Sequence, residues 1–219
     1  MSALVWDQVG QRQYETGVDH GVLYPFDTEQ NKYGTGVAWN GLTEVDQKPE
    51  GGELTDFWAD NMKYAGMRSA EDFKFTIAAY MTPDEFEECD GSTELAPGVT
   101  IGQQDRKPFG MCYRTRIGSD TDQAAANAYK LHLIYGASAN PSERQYKTIN
   151  DNPDATTLSY DCDTVPVPVT GHKPTAIMEI DSRRVDAKKL KAIEAKLYGD
   201  EANEPTLPTP DELMALLEV

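Results

Sequence analysis

Three histidines and three cysteines are the residues best suited to chemistry in this chain, and their spacing argues against most of it. His20, His132 and His172 lie far apart, and no HxxxH or HExxH sets two imidazoles on one helix face for a metal. They read as surface or sheet residues. Cys89, Cys112 and Cys162 are odd in number, widely spaced and without a CxxC, which fits reduced thiols better than a disulfide framework or a zinc site. Gly136-Ala137-Ser138-Ala139-Asn140 resembles a nucleophile elbow but lacks its final glycine and opens no helix. Gly34-Thr35-Gly36 lacks the third glycine of a dinucleotide loop and reads as a turn. The acidic run from Asp84 to Asp90 lacks the spaced oxygens of a calcium loop, and the pair Asp161 and Asp163 around Cys162 follows from strand alternation. Phe57, Trp58 and the aromatics of residues 20–40 are of the type that stacks on sugars, but at strand positions they are expected in the core. The expectation is a protein that is not an enzyme and uses no metal or cofactor.

The elements that would carry these residues are mostly strands. Apolar side chains recur at every second position at Phe73–Met81, Phe109–Ile117, Tyr129–Tyr135, Leu158–Cys162 and Ala176–Ile180, the period that puts them on one face of a pleated sheet. Gly21–Phe26, Gly36–Val45 and Leu54–Tyr64 are weaker candidates. Clusters of Gly, Pro, Asn and Asp separate the strands, with no regular alternation of strand and long helix, so the pattern predicts an antiparallel sandwich or barrel. Thr82 as cap and Pro83 at the first position open a short helix. A longer one is predicted over 187–198, capped by Asp186, ended by Gly199, with Leu190, Ile193 and Leu197 as its apolar stripe opposite the lysines. Residues 1–199 then form one β domain with an amino-terminal arm over 1–19. In the appendage at 200–219, a Pro-containing extended linker leads to a capping box, Thr209 with Glu212, and a short helix bearing Leu213, Leu216 and Leu217. Nine residues of helix are not stable alone in water, so this one docks on its own domain or on another subunit.

The chain has 219 residues and a formal net charge of -17, with a sequence pI near 4.5. At 39% hydrophobic and 26% charged residues the composition is that of an ordinary folded chain, so the acidity reflects the balance of sign and not disorder. It excludes autonomous nucleic-acid binding, which needs a Lys/Arg excess to neutralise phosphates. The excess acid sits in residues 1–125 and in 200–219; between them lies a basic cluster of Arg183, Arg184, Lys188, Lys189, Lys191 and Lys196, on which the acidic tail, or that of a neighbouring copy, is expected to dock. No apolar run suits a bilayer span, and the start Met1-Ser2-Ala3-Leu4-Val5-Trp6-Asp7 does not look like a signal peptide, so production in the cytosol is expected.

Several blocks carry a resemblance. Trp6-Asp7-Gln8-Val9-Gly10, Tyr14 to Tyr24, Gly36 to Leu42, Ala59 to Tyr64, the block Tyr80 to Arg114 with Pro83-Asp84-Glu85-Phe86 and Pro97 to Gln104, Tyr129 to Ala137, and Gly171-His172-Lys173-Pro174 resemble, in order, major tail proteins of long-tailed phages of Gram-positive bacteria. The resemblance implies a β-sandwich or split barrel with a flanking α-helix that assembles as hexameric rings stacked into a tail tube. It further implies that a sheet from each subunit lines the lumen and a long hairpin or loop reaches the next ring. The implied setting is the virion tail, assembled in the host cytoplasm. The implied partners are further copies, the tape-measure protein, the tail terminator and distal tail proteins, with genome DNA passing through unbound and no membrane involved. The acidic tail after Gly199 departs from the pattern.

An acidic wall suits such a conduit, because phosphates are repelled where lysines would grip them. The candidate subunit interface is Lys188, Lys189, Leu213, Leu216 and Leu217. A carbohydrate-binding β-sandwich module of a phage or bacterial surface protein is the alternative.

Overall fold

The computed structural model describes residues 3–121, 128–148 and 155–218, so Met1 and Ser2 of the arm and Val219 of the tail lie outside the described residues. In chain order the strands are β1 (Gln13–Asp27), β2 (Lys32–Tyr33), β3 (Val37–Ala38), β4 (Leu42–Gly51), β5 (Leu54–Ala59), β6 (Met62–Arg68) and β7 (Glu71–Ala79). A helical turn, α1 (Glu87–Asp90), is followed by β8 (Thr93–Ala96), β9 (Val99–Ile101), β10 (Phe109–Ser119), β11 (Tyr129–Ala139), β12 (Leu158–Thr164) and β13 (Ile177–Asp181). Helices α2 (Ala187–Tyr198) and α3 (Pro210–Glu218) close the chain.

One antiparallel ribbon, ordered β2-β1-β10-β11-β12-β7-β4, folds over on itself. The fold-over lies at β11, whose last residues, Ala137 to Ala139, pair with Thr164 to Cys162 of β12, while Lys130 to Ile134 pair with β13. This makes a first sheet, β1-β10-β11-β13, and a second, β12-β7-β4. Leu23, Met111 and Ile134 of the first meet Phe75, Ile77 and Tyr160 of the second in one buried cluster. Phe86 plugs its end, with ring centroids 4.8 Å from Trp39, 5.5 Å from Phe109 and 4.9 Å from Tyr160. The fold is thus a mainly β antiparallel sandwich with a flanking helix, as the sequence pattern predicts.

The first sheet differs from the expectation of a single buried face. Cys112, assigned by alternation to the polar side of β10, is fully buried, and with Tyr24, Leu131, Leu133 and Tyr135 it forms a second core beneath Leu190, Ile193 and Leu197. Helix α2 therefore adds a third layer, and β10 and β11 lie at the centre of the protein. Tyr24 donates its hydroxyl to the Leu197 carbonyl at 2.6 Å, fixing the last turn of the helix on the sheet. Asp186 caps that helix by accepting from the backbone N–H groups of Lys188 and Lys189, as expected, and Gly199 takes a φ of 77° that favours glycine.

Two local expectations need correction. Pro83 occupies the cap position of a 3-10 turn at Asp84–Phe86 that leads into α1, and no side chain caps it, so Thr82 is not the cap. The segment before α3 is not a free linker. Thr206 donates its N–H to the Lys196 carbonyl, the Pro205 carbonyl accepts from Gly36, Tyr135 donates to Pro208 at 3.1 Å, and Leu207 is buried over Gly110. Any side chain at Gly110 would collide with Leu207, so the glycine in β10 makes the seat for this strap.

Candidate functional site

The solvent side of the second sheet is an ordered polar surface built by three strands. Alternation sends Val45, Phe75, Ile77, Tyr160 and Cys162 inward, leaving Glu44, Asp46, Lys48 and Glu50 of β4, Asp72, Lys74 and Thr76 of β7, and Ser159, Asp161 and Asp163 of β12 outward. The register aligns Asp46, Thr76 and Asp161 in one row and Lys48, Lys74 and Asp163 in the next. Lys48 donates to the Thr76 hydroxyl at 2.8 Å and lies 3.6 Å from Asp46 and 3.8 Å from Asp161. Lys74 lies 2.8 Å from Glu50 and 3.6 Å from Asp163, and the hydrogen bond to Glu50 raises its pKa. Both lysines are held between two carboxylates each, so the face as a whole repels phosphates. These exposed pairs add little to stability; their effect is on the sign of the surface.

Beyond this face the chain continues as a projecting hairpin. The β4–β7 pair ends at Gly51 and Glu71; Gly51 has a φ of 79° and so little room beside the Ala70 carbonyl that a side chain would not fit. From there β5 and β6 form their own two-stranded sheet around Asp60 and Asn61, both at positive φ as a tight hairpin turn requires. The expectation of core aromatics fails here. Phe57 is 44% exposed, Trp58 69% and Tyr64 76%, alongside exposed Leu54, Met62 and Met67. The period-2 pattern is present, but a two-stranded sheet has no second layer to cover either face.

Of the expected interface residues, the structure brings Lys189, Leu213, Leu216 and Leu217 together beside the second core. Leu213 is 1% exposed and joins the second core, with Leu216 and Leu217 half-buried against it. Helix α3 thus docks on its own domain, and Leu213 is spent there. The capping box forms as predicted: Thr209 donates its N–H to Glu212 at 2.9 Å, and Glu212 donates its own to the Thr209 hydroxyl. Lys189 donates to the Leu217 carbonyl at 2.6 Å, joining α2 to the end of α3, whereas Lys188 stays exposed. Among the described residues, no carboxylate of the acidic tail pairs with the basic cluster. Glu204 accepts from Thr35, Asp211 from Thr170, and Asp200 from Ala202 and Asn203.

No family model matches the chain, and no curated protein matches its sequence.

The residues of chemical interest are dispersed. Among the described residues no group of three or more His, Cys, Asp or Glu side chains is arranged to hold a metal ion. All three cysteines are free and buried, and burial pushes the Cys89 and Cys112 thiols up to about 12. Gly136 to Ala139 stay in β11, so Ser138 is a strand residue, and Gly34, expected in a turn, instead continues the β1–β2 pairing by donating its N–H to the Pro25 carbonyl.

Two polar clusters on the first sheet were not legible in the sequence. Asp19 accepts from Arg114 at 2.6 Å and from Arg116 at 2.8 Å; burial raises its pKa, but the two guanidiniums outweigh it and hold the carboxyl at about 2. His132 is 4% exposed and stacks on Tyr113 at 4.7 Å. Its Nε2 lies 2.9 Å from the Thr115 hydroxyl and 3.5 Å from Glu15, and its Nδ1 lies 3.4 Å from Glu179. Burial lowers the His132 pKa against the pull of both carboxylates, and Lys130 lowers it further. Both clusters join β1 to strands about a hundred residues later, and only the strand pairing brings them together.

Proposed function

We propose that the protein is a structural subunit that self-assembles into stacked, hexameric rings forming a phage tail tube, an electronegative conduit for DNA entering the host. The observation that carries this reading is the β5–β6 hairpin, which leaves Trp58, Met62, Tyr64 and Met67 each more than 60% exposed. Large apolar side chains left bare on both faces of the ribbon mark an interaction site, and a lone hairpin is marginal in water without a partner. In stacked rings the hairpin of one subunit is covered by the adjacent ring.

The acidic face of the second sheet supports the conduit half of the reading. Placed toward the lumen, it presents carboxylates from three strands and no unneutralised lysine, so DNA slides past without the counterion release that drives binding. The ordered resemblance of the chain to major tail proteins points the same way. The setting that follows is the virion tail, assembled in the bacterial cytoplasm, with tape-measure, tail terminator and distal tail proteins as partners.

The exposed Trp58 and Tyr64 favour one second reading, a carbohydrate-binding sandwich in which these rings stack on sugar. Negative-stain microscopy of concentrated protein separates the two. Rings or tubes of uniform diameter are expected; a strictly monomeric protein that binds glycans would overturn the tube.

A further inference from the structure

The amino-terminal arm is a second bare apolar segment, distinct from the hairpin. Leu4 is 78% exposed, Val5 64%, Trp6 74% and Val9 77%, four apolar side chains within six residues. The base of the arm is nonetheless built. Arg12 donates from Nε and a terminal nitrogen to the Asp7 carbonyl at 3.0 and 2.8 Å, and Gly10 donates its N–H to the Asp120 carboxylate at 3.0 Å. Asp7, at a φ of 53°, and Gly10, at 86°, turn the backbone there. These bonds tie down the turn and leave the apolar side chains off the domain.

Beyond β13 of the first sheet lies a groove suited to such a segment. Among the described residues strand β13 pairs with β11 alone, and no strand lies beside its outer edge. Between that edge and α3 lies a groove of about 590 Å³ whose lining mixes apolar residues, among them Met178, Leu213, Met214 and Leu217, with the charged Lys130, Glu179 and Asp181. That is ample for an indole, given that pockets of about 300–1,000 Å³ hold drug-sized molecules. Arg183 and Arg184 stand on its rim; Arg183 engages Asp181 at 2.6 Å, while Arg184 is 85% exposed and only at 4.0 Å from that carboxylate. Asp7 is the one charged residue between Ala3 and Gln11.

We propose that the arm of one copy docks on the next copy, with Leu4 to Trp6 along the edge of β13, Trp6 in the groove against Met214, and Asp7, at the turn, facing Arg184. The arm leaves from β1 and the groove lies beyond β13, three strand spacings across the β1-β10-β11-β13 sheet, with Arg183 linking the two by donating to the Gln13 side chain. A head-to-tail contact of this kind repeats from copy to copy, and it closes into a ring when the rotation per copy allows. Backbone pairing along β13 supplies affinity, and the groove selects the apolar side chains. The inference rests on the self-assembly reading and adds the contact that joins neighbours within a ring.

Disulfide capture tests it cleanly, because the native thiols are all buried. Two full-length variants, Trp6→Cys and Met214→Cys, both at exposed positions, are mixed under mild oxidation. The expected result is a covalent dimer in the mixture that exceeds either variant alone at least tenfold, and a ladder of covalent oligomers from the double variant. Rings or tubes that form in the mixture without covalent dimer overturn the arm contact and leave the tube standing. A double variant that closes its disulfide within a monomer assigns the groove to the chain's own arm and also overturns the proposal. Absence of both assembly and cross-link removes the tube reading together with the contact.

Discussion

At the scale of single residues, the most consequential side chain is one the sequence pattern assigned to the solvent. Alternation along β11 places His132 opposite Leu131 and Leu133, which is correct, yet both sides of that strand are covered, so the imidazole is enclosed. Facing it are Glu15 from β1, Tyr113 and Thr115 from β10, Lys130 on its own strand, Glu179 from β13, and Gln47 from β4 at 3.5 Å. Because burial holds its folded pKa below the ordinary 6.5, the unfolded chain takes up the proton first. Its contribution to stability is therefore present above 6.5 and is lost as the pH falls through the lower folded value. Thermal unfolding followed from about pH 7.5 to about pH 5 should show this loss, and His132→Gln should flatten the curve in that window. An equally steep curve in the variant would remove His132 as the cause. A single sequence cannot reveal such a cluster, since every member but Lys130 arrives from another strand.

Among the elements, the two carboxy-terminal helices were the most legible, because their signals are local. Asp186, Gly199 and the stripe Leu190, Ile193, Leu197 fix α2, and Thr209 with Glu212 fixes the start of α3. What lay beyond local signals was the destination of α3 and the strap before it, which depends on a space over Gly110 and on the hydroxyl of Tyr135. Leu213→Ala should cost about 2–5 kcal/mol in denaturant unfolding, the range for a buried leucine. Lys189→Met should cost about 1 kcal/mol through the lost bond to the Leu217 carbonyl, while Lys188→Met should leave stability unchanged. Equal effects at the two lysines would rule out the Lys189 tie. The strands were legible in position but not in length or partner: Gly21–Phe26 is the end of a strand that begins at Gln13, and Gly36–Val45 is broken into β3 and β4.

For the whole molecule, the division of surfaces is the informative feature. One side carries paired charges with an acid excess, one end carries a bare apolar hairpin, and one sheet carries a bare apolar arm before β1 and a groove beyond β13. Replacing residues 53–69 by a short turn should leave the sandwich folded, because neither core draws on the hairpin. The same change should abolish higher-order assembly in sedimentation while leaving the monomer's melting temperature within a few degrees. Unaltered assembly would transfer the stacking role to another surface. The order of strands also has a consequence for biosynthesis. Gln13 pairs with Ser119, and the sheet that begins there is completed only by β13 and sealed by α3. At about 5–20 residues per second, the amino-terminal strand waits several seconds for its partner to leave the ribosome. A nascent chain thus has its arm long before it has a groove, so under the proposed arm contact a copy joins its neighbours only as a finished unit.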